Sequence, residues 1–314
     1  MLKSDHSFHW IGVVALSLLL FLLAPTLISA SDRNAFEGKI ISGIKVVGNE
    51  KTRDFVILRE MKTTVGDRFL GERIELDRKR IQNLALFTRV DIIPTAVDDD
   101  TLSLFVIVAE RWPFFPYPLL FRNERSWDKW SYGLGIIHNN IKGLNHKLLA
   151  ELWLGYNPGG QLVYTNPWFG GNHHFYHKLQ ILKMDVLSKS LQYPRFVEQH
   201  ESINYTFGKR WDYHVYTSAA IFYDHIEFPA EYSHHLSSNR LYQDVPSFGL
   251  GFRYDTRDLY EYPKSGWLID AYATITYFPR QLKYLIYGGD FRHYFQITEL
   301  TTLAMKFALD LSAG

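Results

Sequence analysis

The residues able to do chemistry in this chain are few and scattered. His173, His174 and His177 form one group of imidazoles. In an extended strand His173 and His177 would share a face and His174 would point the other way, a poor arrangement for shared ligation. They read as turn and interface histidines, and so does the pair His234-His235. Asp255 and Asp270 could be read as paired acids. They alternate with Arg253 and Arg257 in strand-like sequence, so Arg253, Asp255, Arg257 and Asp270 are expected to form a charged network on the wetted side of strands. No Gly-x-Ser-x-Gly elbow, Gly-rich phosphate loop or Rossmann fingerprint occurs, and there is no cysteine. No catalytic residue, metal or cofactor is therefore expected, and the chain is not read as an enzyme. The remaining distinctive chemistry is a deletion. Pro113, Pro116 and Pro118 in "RWPFFPYPLLF" have no amide hydrogen. In a strand, the amides of residues i and i+2 point to one lateral side. Pro116 and Pro118 would therefore strip neighbouring donors from a single edge.

The elements around these residues fall into three parts. Residues 1–30 have Lys3, an apolar run from Trp10 to Ile28 and then Ser29-Ala30-Ser31, as in a signal peptide cleaved after Ala30. The same run is also long enough to stay as an anchor helix. No later segment approaches the ~20 apolar residues of a membrane helix, so the mature chain is either fully exported or crosses a membrane with strands. Charge is balanced, 34 Lys+Arg against 33 Asp+Glu, which implies no nucleic-acid partner. Aromatic residues reach 16%, more than a soluble enzyme needs and suited to a membrane–water interface.

Residues 38–111 read as a small soluble module. "KIISGIKVVGN" (39–49) is a β-branched alternating strand ended by Gly48-Asn49. Thr52 is the expected N-cap of a first helix whose buried face carries Phe55, Leu58 and Met61. A second helix is expected over 75–87, with Asp77 near its start and Ile81, Leu84 and Phe87 on one face. Two strands follow, "RVDIIPTAV" and "TLSLFVIVAER", joined at Asp98-Asp99-Asp100. The order βααββ gives a three-stranded sheet with two helices on one face.

From residue 112 to 314 the period is two. Leu250, Phe252 and Tyr254 alternate with Gly251, Arg253 and Asp255; Ile269, Ala271, Ala273 and Ile275 alternate with Asp270, Tyr272 and Thr274. Eleven strands are predicted, near 114–122, 131–139, 147–156, 161–166, 173–186, 198–210, 213–226, 246–256, 265–278, 283–297 and 300–312. A soluble sandwich or lipocalin would turn the apolar side inward. A membrane barrel turns it to lipid and fills its lumen with the polar side. Strand lengths, aromatic content and the signal peptide favour the barrel.

Residues 39–111 resemble a POTRA domain in the "GN…T" turn, the "REM…GD" segment, the run from Arg80 to Val90 and the closing strand ending in Glu110-Arg111. With the following barrel, the chain resembles the BamA/TamA/Toc superfamily, the bacterial surface antigen family. "RWPFFPYPLLF" is similar to the family's first barrel strand, "YTNPWFGGNHHF" to its aromatic-Pro turn, and "YDTRDLYEYPKSGW" to a strand end, loop and strand start. The resemblance differs in having one POTRA unit. It implies an antiparallel transmembrane barrel of about sixteen strands, of which eleven are present here. The family's Val-Arg-Gly-Phe/Tyr motif is missing, since no Arg-Gly dipeptide occurs. These departures lead to the expectation of a truncated or fragmentary form.

The resemblance implies a location in the bacterial outer membrane, with the POTRA domain in the periplasm. It implies assembly or translocation: the POTRA unit receives unfolded outer-membrane or secreted clients, and the barrel assists their insertion or passage. Outer-membrane lipid is the surrounding partner, and periplasmic chaperones or accessory lipoproteins are further ones. A passive pore or structural barrel is the second reading. A lipid-acting barrel enzyme is the third. In the leading reading Pro116 and Pro118 mark a weak seam through which client strands enter lipid; in the alternative reading the prolines only stiffen the linker from the POTRA domain.

Overall fold

The computed structural model describes residues 35–188, 195–231, 241–277 and 283–313. The expected signal peptide and the loop carrying His234-His235 lie outside the described residues. The first sheet contains β1 (Ile40–Val47), β2 (Phe87–Ala96) and β3 (Thr101–Glu110), in the order β1-β3-β2. β3 pairs parallel with β1 and antiparallel with β2. Helices α1 (Asp54–Leu58) and α2 (Gly71–Gln82) cover one face. Ile41, Val56, Ile57, Phe69, Ile81, Phe87, Leu102, Leu104 and Val106 are all at most 1% exposed, and they form one apolar core. Alternation puts Leu102, Leu104, Val106 and Val108 on the helix side of β3, which is why the middle strand contributes most.

The module departs from the sequence expectation in three places. Phe55 is exposed, and Val56 and Ile57 are buried instead. The helix ends at Leu58, so its single turn presents neighbouring residues rather than a 3.6-residue stripe. Thr52 does not cap it. The N-cap is Arg53, and the buried Thr52 hydroxyl is used elsewhere. The second helix spans 71–82 rather than 75–87, and Phe87 opens β2. Asp77 is therefore mid-helix and fully buried. Its carboxylate accepts the Lys62 and Thr63 amides at 2.9 and 3.0 Å, bonds that explain a carboxylate facing the core.

The second sheet has eleven antiparallel strands in sequence order: β4 (Phe114–Arg122), β5 (Trp130–Ile141), β6 (His146–Gly155), β7 (Gly159–Phe169), β8 (Phe175–Leu187), β9 (Val197–Arg210), β10 (Val215–Glu227), β11 (Tyr242–Asp255), β12 (Gly266–Tyr277), β13 (Lys283–Gln296) and β14 (Thr302–Ala313). β4 and β14 are its edges. One face is apolar and open. Leu134 and Leu152 lie opposite each other at 69 and 72% exposure, a surface that water would not leave bare but lipid would. The other face is polar: Tyr117 donates to Glu151, Gln180 to Gln161, and Arg253 to Asp270. Gly135 lets the Tyr117 ring cross to Glu151, since a Cβ there would stand 2.3 Å from the ring. Among the described residues no helix is long and apolar enough to cross a membrane. The strand expected from residue 173 begins at Phe175. His173 and His174 instead sit at a 3₁₀ turn, with φ +56° at His174.

Candidate functional site

The two folded parts meet at one end of the second sheet, where the turns β5–β6, β7–β8, β9–β10 and β11–β12 lie under the module. Three groups of contacts hold them together. The first is backbone to backbone. Arg53 N–H donates to Gly143 O at 3.1 Å, and Gly143 lies so close that a Cβ would stand 2.0 Å from Lys51 O. Its φ of +71° is one that glycine adopts freely. Beside it Asn140 Nδ2 donates to Thr52 Oγ1 at 2.9 Å, and Asn140 Oδ1 accepts from Asn145 N. The Thr52 hydroxyl thus serves the barrel rather than helix α1.

The second group is cationic and aromatic. Glu60 pairs with Arg210 at 2.9 Å and with Arg59 at 3.8 Å. Arg59 and Arg210 both lie against Trp168, at 4.7 and 4.5 Å from its ring centre. Burial pulls the Arg59 pKa down to about 10, with Glu60 opposing and Arg210 reinforcing the shift. Arg80, held by Asp77 at 2.7 Å, stacks on Tyr213 at 3.7 Å. The buried Asp77 therefore links the module core to the β9–β10 turn.

The third group is the β11–β12 loop, residues 256–265. Asn83 donates to Asp258 O at 3.2 Å and accepts from Tyr260 N at 2.9 Å. Lys79 lies 3.9 Å from Asp258. Arg111 grips Glu261 with two bonds, at 2.7 and 2.8 Å. The pairing lowers the Glu261 pKa and raises that of Arg111. Asp255, the last residue of β11, accepts from Arg257 at 2.9 and 2.7 Å, and within the loop Asp258 accepts the Lys264 and Ser265 amides. The Asp-Thr-Arg-Asp sequence therefore folds the loop that receives the module. The loop has ten residues and lies on the module's side.

Between α2, these turns and the polar face lies a cavity of about 910 Å³, bordered by Arg80, Asn83, Trp168, Tyr213, Tyr260 and the Arg253–Asp270 pair. The four charges expected as one network thus form two separate pairs. Arg253 and Asp270 face each other across β11 and β12 at 2.6 and 3.0 Å. Asp255 and Arg257 sit at the lip. His173 stacks on Phe175 and His174 lies against Trp168; among the described residues no metal-ligating group forms. Sequence reasoning missed Thr52, Glu60, Asn83, Asn140, Gly143, Arg210 and Trp168 as interface residues. Only Glu110-Arg111 and the Asp-Thr-Arg-Asp stretch carried a signal.

Pro116 and Pro118 lie in the edge strand β4. Asn139 N donates to Pro113 O, so odd-numbered residues bond β5 and even-numbered ones face away. Both missing donors are on the free edge.

The sequence matches two family profiles, the POTRA surface antigen variable number repeat over residues 39–111 and the Omp85 superfamily domain over 140–314. Outer membrane protein assembly factor BamA of Nitratidesulfovibrio vulgaris is 39% identical over 73 residues, 23% of this chain and 9% of that protein. BamA of Neorickettsia risticii is 32% identical over 114 residues, 36% and 15% of the two chains. BamA from Haemophilus ducreyi lacking POTRA domains 1–3 superposes with a TM-score of 0.56 at 18% identity, covering 87% of this chain and 55% of that one. CdiB from Acinetobacter baumannii gives 0.52 at 13% identity, covering 88% and 53%. The chain thus spans a small part of the curated relatives and about half of these solved structures. The barrel belongs in the outer membrane and the POTRA domain in the periplasm. With its second profile covering more than half of the sequence, the chain belongs to the Omp85 superfamily.

Proposed function

We propose that the chain acts in outer-membrane protein assembly or translocation, receiving unfolded clients at the POTRA domain and assisting their insertion into, or passage across, the membrane. The observation that carries this reading is the docking of the POTRA domain onto the barrel mouth, over a cavity that opens on the luminal Arg253–Asp270 pair. A client held by the POTRA domain is thereby delivered to the barrel. No covalent chemistry is needed, so the reading is not enzymatic.

The edge strand β4 extends the proposal. Pro116 and Pro118 remove two successive donors from its outer edge. The seam sealed by that edge has fewer hydrogen bonds than the other strand pairs, each worth about 1 kcal/mol net. It is the place where the barrel opens sideways most readily, with Pro116 and Pro118 as gate residues. A cysteine pair joining β4 to the strand that seals against it should stop client insertion, and reduction should restore it. Normal insertion with the crosslink fully formed would remove the gate.

A further inference from the structure

We propose that Tyr117 and Glu151 are positioning residues that clasp β4 to β6 over the top of β5, so that β4 stays with the barrel wall when its outer edge opens. This rests on the gate reading above and names what keeps the gate strand in place. A strand stripped of outward donors at Pro116 and Pro118 depends on its inner side, and that side has a weakness of its own. Leu134 of β5 points to the lipid face, so alternation turns Ser131, Gly133 and Gly135 to the lumen. Gly133 is the register partner of Leu119, and Gly135 is that of Tyr117. A glycine offers no side chain to its cross-strand partner, so this part of the β4–β5 joint rests on main-chain bonds alone.

The missing side chains open a trough across which β4 reaches β6. Gly135 is also the register partner of Glu151. The Tyr117 ring passes over it, and the hydroxyl donates to Glu151 Oε1 at 2.5 Å. A Cβ on Gly135 would stand 2.3 Å from that ring, so the passage needs glycine. Farther along β4, the Phe121 ring meets Trp153 of β6 edge to face, with centroids 6.1 Å apart. Trp153 is the register partner of Gly133, is buried, and donates its indole N–H to Asn157 O at 2.7 Å. β4 therefore touches β6 at two levels past the intervening strand, once through a charged hydrogen bond and once through rings.

Glu151 is itself anchored. Its second oxygen accepts from Gln161 of β7, and Gln161 accepts from Gln180 of β8 at 2.9 Å. Tyr117, Gly135, Glu151 and Gln161 are successive register partners, so one luminal row ties the edge strand to β6, β7 and β8. Tyr117 stands between the two prolines. The residue flanked by the missing outward donors is thus the one fastened inward. None of these contacts involves the outer edge of β4, so the clasp persists when that edge is released. Opening is confined to the seam, and the glycine-bearing β4–β5 joint stays closed.

The test combines amide hydrogen exchange on the full-length chain in membranes with insertion of a labelled unfolded outer-membrane barrel. Tyr117→Phe keeps the ring and removes the bond. Exchange in β4 and β5 should rise about tenfold or more, the effect of one hydrogen bond to a charged acceptor, while β9 to β12 exchange as in the natural chain. Gly135→Ala should loosen the same two strands by displacing the ring. Both variants should slow client insertion. Leu120 and Tyr132 are register partners on the lipid face, and a disulfide between Leu120→Cys and Tyr132→Cys locks β4 to β5. The lock should leave insertion by the otherwise natural chain unchanged and restore insertion in Tyr117→Phe, which a general loss of fold would not allow. Unchanged exchange in Tyr117→Phe, a rise spread equally over β9 to β12, or a lock that stops insertion by the otherwise natural chain would overturn the clasp. The seam crosslink is read apart from these: insertion through a sealed seam removes the gate reading, and the exchange comparison still decides the clasp.

Discussion

Arg111, which follows the last residue of the POTRA sheet, grips Glu261 of the β11–β12 loop through two parallel bonds at 2.7 and 2.8 Å. These residues stand 150 positions apart. Their pairing fixes the linker at the point where the soluble domain gives way to the first barrel strand. The first prediction follows from the direction of its titration. Docking holds the Glu261 carboxyl below its ordinary pKa. The bond's contribution to docking is complete above the ordinary carboxylate value, about pH 4, and is lost as pH falls through the lower docked value. Both side chains are about a third exposed or more, so the pair is screened by salt and contributes at most about 1 kcal/mol. The chain lacks cysteine, so fluorophores on cysteines introduced at Glu72 and Trp211 report docking directly. Energy transfer should fall in this acid window and with added salt. Glu261→Gln should flatten the acid response, and an unchanged response would assign it to other groups.

Gly143 is the position where the two backbones come closest. Gly143→Ala places a methyl group 2.0 Å from Lys51 O and puts an alanine at φ +71°. The cost should be about 2 kcal/mol or more, taken from docking rather than from either fold. Trypsin should then cut after Arg111 faster than in the natural chain, while the heat-dependent mobility of the barrel on gels stays the same. Equal cutting would mean that the contact at Gly143 does not hold the domain.

Residues 38–111 should fold alone as a soluble monomer, because their core is complete without the barrel. The isolated segment should melt in one cooperative transition. Ile57→Ala, at a fully buried site, should cost about 2–4 kcal/mol. Phe55→Ala should cost much less, since Phe55 is half exposed. A molten product would place the domain boundary elsewhere than Arg111.

Much of the architecture was legible because it rests on periodicity. Eleven strands follow from alternation, which is a local property of Leu250, Phe252 and Arg253 or of Ile269 and Asp270. The order of the POTRA elements follows from turns such as Gly48-Asn49 and from runs of β-branched residues. The interface was not legible, because its residues look like something else in isolation. Thr52 looks like a helix cap until Asn140, 88 positions away, donates to its hydroxyl. Glu60 and Arg210 look like surface charges until Trp168 brings them together with Arg59. Asp77 looks like a first-turn acid until two backbone amides meet it in the core. The face of α1 was misplaced because a single helical turn has too few residues to show a period. Asp255 and Asp270 looked like one network because the spacing of residues along two strands does not show that one lies at the lip and the other inside.

The central claim, that the protein serves the assembly or translocation of many clients, is tested most directly by depleting it in its native cell and quantifying the outer-membrane proteins. The account predicts that the levels of many unrelated barrels or secreted proteins fall together, and that re-expression of the natural chain restores them. Unchanged levels of those proteins, with a defect confined to the uptake of small solutes, would contradict it and identify a passive pore.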